Sequence, residues 1–163
     1  MASRADFTDE EWARLGRAPL LAGFAISLAD PGGPIEAIKE SGAALRTALE
    51  AAKGQEFGPF VRSLANDLAA KAQRRESPLA GFAPDRRGGL DQILDELRSV
   101  HSLLLEKGSP EDMDDFREWV RTTSQQVALA AKEGGFLGIG AERVSEREQQ
   151  MLETLGEIFG VPR

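Results

Sequence analysis

At 163 residues, with 41% hydrophobic and 29% charged side chains, the chain has the size and composition of one folded domain. Cysteine is absent, which excludes disulfides, thiolate nucleophiles, zinc–thiolate sites and iron–sulfur clusters. The formal charge of −7 sits in the second half: residues 1–87 carry 12 acidic and 12 basic side chains, residues 88–163 carry 15 and 8. An acidic surface repels phosphate backbones, so nucleic acid is not an expected partner.

The first helix is predicted to open at Thr8-Asp-Glu-Glu11, where the Thr8 hydroxyl serves first-turn amides and Glu11 reaches back to the cap. It carries Trp12, Leu15, Leu20 and Phe24, with a kink or break expected at Pro19. Asp30-Pro-Gly-Gly-Pro34 ends it. The apolar run from Ala18 to Ala29 is shorter than the about 20 residues that a bilayer core requires. Ser27-Leu-Ala29 resembles a signal-peptidase site, but Asp6, Asp9, Glu10 and Glu11 ahead of it are wrong for a leader. A buried helix, a cytoplasmic location and no membrane partner follow as expectations, with a peripheral membrane helix as the alternative.

A second helix is predicted from Pro34, with Ile35, Ile38, Gly42, Leu45 and Leu49 as its stripe and Lys53-Gly54 as its end. A third runs from about Pro59 to the break at Ser77-Pro78, with Phe60, Val61, Leu64 and Leu68 on one face. The fourth carries Leu90, Ile93, Leu94, Leu97, His101 and Leu104 and stops at Lys107-Gly108. Ser109-Pro-Glu-Asp112 opens the fifth, whose core face is Met113, Phe116, Val120, Thr123 and Val127. Ser145-Glu-Arg-Glu148 is a further capping box, opening a last helix with Met151, Leu152, Leu155 and Phe159. No stretch alternates as a strand would, and Ala and Leu outnumber Val and Ile. The predicted fold is all-α: a single domain over residues 1–163, a bundle of about six helices with mostly antiparallel neighbours.

Catalytic groups are scarce. His101 is the only histidine and borders the apolar stripe of the fourth helix, and no Gly-x-Ser-x-Gly marks a nucleophile. The di-iron pattern Glu-x-x-His fails because Arg98 stands where the glutamate belongs. No catalytic residue is assigned, no cofactor is expected, and the chain is read as a non-enzyme. Glu111, Asp112, Asp114, Asp115 and Glu118 crowd the first turns of the fifth helix, where they meet its positive dipole end. The alternative for that cluster is a calcium or magnesium site.

Two loops stand out. Gly134-Gly-Phe-Leu-Gly-Ile-Gly140 matches neither the Walker pattern nor the dinucleotide fingerprint. Its glycines turn the backbone while Phe136, Leu137 and Ile139 either plug the core or form a partner-binding tip. Lys71, Arg74 and Arg75 precede a segment holding Leu79 and Phe82, and Arg86 and Arg87 follow it. These are either helix-terminal cations or a docking patch for an anionic partner, a lipid headgroup, or the acidic half of a second copy.

Ala18-Pro19 through Asp30-Pro-Gly-Gly33, and Glu133-Gly-Gly-Phe-Leu-Gly138 through Val144-Ser-Glu146, resemble a group of small bacterial helical proteins without an assigned function. Ala29-Asp30 followed by Glu36, with Val144-Ser145 and Glu148, is similar more distantly to the TerB-like tellurite-resistance family. That resemblance implies divalent-metal binding by Asp30 and Glu36. Pro31 and Ala141 depart from the motif, standing where that family has glycine and aspartate. The function expected from all this is binding of a protein partner or self-association to a homo-oligomer, with a divalent-metal-binding stress protein as the alternative.

Overall fold

The structure, a computed structural model, describes residues 2–29, 42, 44–77, 79, 82, 89–133 and 146–160. A 3-10 turn at Arg4–Asp6 precedes α1 (Asp9–Ala29). There follow α2 (helical over 44–50), α3 (Pro59–Gln73), α4 (Gly89–Lys107), α5 (Pro110–Glu133) and α6 (Glu146–Ile158). No strand occurs among the described residues, and the protein is the all-α bundle predicted from its helical spacing.

Helix α1 is the hub. It packs most extensively on α5, and also on α4, α6 and α3. Residues 15–23 are buried without interruption, so the helix has no polar face over that stretch. This accounts for most of the apolar run that resembled a leader: residues 18–23, Ala25 and Ile26 are buried, while Leu28 is exposed. Among the described residues no helix is long and apolar enough to cross a membrane. The break expected at Pro19 does not occur, because α1 runs through Pro19 as one helix. Proline removes one backbone hydrogen bond there, and burial on every side holds the helix together in spite of it.

The direction of α5 along α1 follows from contacts at both ends. Ala2 N–H donates to Asp112 Oδ2 at 2.7 Å near the start of both helices. At the far end a Cβ on Gly23 would lie 3.1 Å from Val127 Cγ2. The two helices therefore run in the same direction, and a glycine permits their close approach. The same position would lie 3.0 Å from Ala44 Cβ, so α2 closes on this crossing too.

Sequence and structure diverge most in α2. Leu45 and Leu49 were the expected core face, but both are only half-buried, and the residues fully inside are Ala44, Ala48 and Ala51. Alanines bring the α2 backbone close enough for Trp119 Nε1, 1% exposed, to donate to the Ala48 carbonyl at 3.2 Å. Gly42 is exposed, while Ile35 and Ile38 lie outside the described residues. The α3 and α5 faces are as predicted, with Trp119 added to α5; on α4 Leu90 and His101 are only half-buried, and Val100 and Leu103 join the core.

Two of the three capping boxes are seen in full. Glu11 N–H donates to Thr8 Oγ1 at 3.1 Å and Thr8 N–H to Glu11 Oε2 at 2.8 Å. Asp112 N–H donates to Ser109 Oγ at 3.1 Å and Ser109 N–H to Asp112 Oδ2 at 3.1 Å. Ser145, the third cap, lies outside the described residues. The N-terminal segment is pinned further by Lys107. Its ammonium meets Glu11 at 2.8 Å and the Asp6 carbonyl at 3.2 Å, above the Phe7 ring. The Lys107 hydrogen bond also holds the Glu11 carboxyl below the usual carboxylate range.

Candidate binding groove

Helices α5 and α6 lie antiparallel. At one end Arg117 Nε donates to the Phe159 carbonyl at 2.9 Å, and the Phe116 and Phe159 rings meet tilted at 51° with centroids 5.9 Å apart. Toward the other end Gln125 of α5 and Gln149 of α6 line the same groove. Its volume is about 460 Å³, within the range of about 300–1,000 Å³ typical of ligand sites. Val120, Leu155 and Phe159, each at most 4% exposed, form its floor together with the half-buried Leu152.

Charge flanks that floor on both sides. Arg117 and Arg121 stand one turn apart on α5, and Glu153 and Glu157 one turn apart on α6. Arg117 Nη1 donates to Asp114 at 2.9 Å, and Arg121 contacts Glu118 and, at 3.0 Å, Gln125. The hydrogen bond from Arg121 holds the Glu118 carboxyl below its ordinary range and raises the guanidinium in return. Both partners are about half exposed, so the pair contributes little to stability and its members can exchange partners.

His101 of α4 closes the Phe159 end. Its ring meets Phe159 edge-on, with centroids 5.9 Å apart at 88°, and its Nδ1 is buried with no hydrogen-bond partner. Burial, with the Arg117 guanidinium nearby as the lesser cause, holds the imidazole below its ordinary 6.5. The fold thus prefers the neutral ring. Its contribution to stability is present above pH 6.5 and is lost as pH falls below that value toward the lowered folded one. Melting temperatures at pH 7.5 and 5 should drop further for the natural protein than for His101→Gln, and parallel drops would show that His101 is not the titrating group.

The carboxylates at the start of α5 have separate structural duties. Asp112, 3% exposed, caps its own helix and binds Ala2. Asp115 accepts from Gly58 N–H at 2.7 Å and so caps α3 from a distance. Asp114 and Glu118 pair with arginines one turn on. Among the described residues no three acidic or histidine side chains gather where they could hold a metal ion. Asp30 and Glu36, the residues implied by the TerB-like resemblance, lie outside the described residues.

Of the docking loop, Arg74 is paired with Glu76 at 3.0 Å and exposed, and Arg75 is exposed with a left-handed φ of 57° just past the end of α3. Leu79 and Phe82 are half-buried and pack against the core, which removes much of the apolar surface a docking patch would use. Arg86 and Arg87, and Phe136, Leu137 and Ile139 of the glycine-rich loop, lie outside the described residues. The sequence reading missed the groove itself. Its one legible signal is the pair of i, i+4 charge repeats, Arg117 with Arg121 and Glu153 with Glu157, beside apolar stripes. No family model, curated protein or solved structure matches the chain.

Proposed function

We propose that this protein is a non-enzymatic interaction module whose working surface is the groove between α5 and α6. The observation that carries this reading is an apolar-floored trough of about 460 Å³ between two antiparallel helices. A bundle that served only its own stability would fill such a space with side chains. Gly156, in the last turn of α6 and among the lining residues, adds no side chain to that space. The basic loop at residues 74–87 is the competing surface.

Photo-crosslinking separates the two. A photoreactive phenylalanine analogue at Gln125 should give a discrete heavier adduct in the source cells, and the same analogue at Arg74 should give none. Leu152→Asp, which places a charge in the groove, should abolish the Gln125 adduct. Adducts from Arg74 alone would transfer the function to the loop.

A further inference from the structure

Resting on that reading, we infer that the groove is built to take an amphipathic α-helix from another protein, one with an apolar stripe flanked by acids on one side and bases on the other. Arg117 and Arg121 on one wall, and Glu153 and Glu157 on the other, each repeat at four residues. Four residues of helix advance about 6 Å, so each wall offers charges at the spacing with which a third helix presents its own. An apolar floor between two charged rails has the layout of a coiled-coil seam with its flanking positions. A helix laid in it inserts residues at i, i+3, i+4 and i+7 over Val120, Leu155 and Phe159. Its acids then face the arginines of α5 and its bases the glutamates of α6.

A single anionic ligand, such as an alkyl carboxylate, fits less well. It would satisfy the arginine wall and meet the repulsion of the glutamate wall. Nor do the described residues of a second copy supply the ridge. The large apolar residues exposed among the described ones are Leu28, Leu105 and Leu129, which lie on three different helices and form no stripe.

The rails also set direction. Turning a helix end for end exchanges its two flanks, so a helix with one acidic and one basic flank has one favoured orientation, whichever flank is which. A helix with like-charged flanks always leaves one rail opposed. Three labelled synthetic peptides of about four turns test this, sharing one leucine stripe and carrying Glu/Lys, all-Glu or all-Lys flanks. By fluorescence anisotropy at low salt the Glu/Lys peptide should bind this protein about tenfold more tightly than either like-charged peptide.

Arg121→Glu, at an exposed position, leaves three acids and one base on the two rails together and should move the preference to the all-Lys peptide, and a circular dichroism melt confirms that the variant is folded. Equal binding of all three peptides would overturn the charge-rail inference and leave a helix-binding groove. Binding of none would overturn both readings. Self-association in sedimentation runs that is abolished by Arg121→Glu would overturn the assignment to a foreign partner.

Discussion

Asp112→Ala should lower the free energy of unfolding by about 3 kcal/mol, since one buried N–H group, one part-buried N–H group and a helix cap lose one acceptor. The Asp112 carboxylate is 3% exposed and receives Ala2 N–H at 2.7 Å and Ser109 N–H at 3.1 Å. The buried Ala2 N–H has no water to fall back on once the carboxylate is gone. Asp112→Asn keeps an oxygen in place and should recover more than half of the loss. Urea denaturation measures both, and an alanine variant within about 1 kcal/mol of the natural protein would mean that a simple helix cap accounts for the residue.

Gly23→Leu should cost about 3 kcal/mol, the upper range for overfilling a packed core. A Cβ at this position already lies 3.0 Å from Ala44 Cβ and 3.1 Å from Val127 Cγ2, so a longer side chain must push α2 or α5 away from α1. Gly16 provides the contrast within the same helix. A Cβ there meets Leu68 Cδ2 at 3.6 Å, an ordinary contact. Gly16→Ala should therefore stabilise by up to about 1 kcal/mol, the difference in helix propensity between the two residues. Thermal melts followed by circular dichroism rank the three proteins, and a Gly23→Leu variant that melts with the natural protein would refute the close three-helix crossing.

The sequence made the helices legible because their signals are local. Thr8 with Glu11 and Ser109 with Asp112 mark starts by hydrogen bonds closed within four residues, and these are the bonds observed. Stripes such as Phe60, Val61, Leu64 and Leu68 report which side of a helix is dry. What the sequence hid depends on which helix lies beside which. In α2 a rule that favours large residues chose Leu45 and Leu49, whereas close packing against Gly23 selects Ala44, and Ala48 is buried where Trp119 reaches its carbonyl. Pro19 breaks an isolated helix but is overridden where α1 is enclosed. The groove was invisible for the same reason: Arg117 and Glu157 are 40 positions apart and share a trough only because α6 turns back along α5.

The hub position of α1 also constrains how the chain acquires its structure. Most helical bundles assemble from neighbours in sequence, which makes their folding fast. Here the segment before α1 is held by a bond spanning 110 positions to Asp112 and α1 itself by one spanning 96 to Lys107, with α5 as its main companion. Ordering those contacts requires closure of a loop that contains most of the molecule, an entropic cost more familiar from β-proteins. During synthesis the least polar helix emerges early and its main cover emerges late. Until α5 leaves the ribosome, α1 has only α2, α3 and α4 to cover it, and its largest apolar contact is still to form.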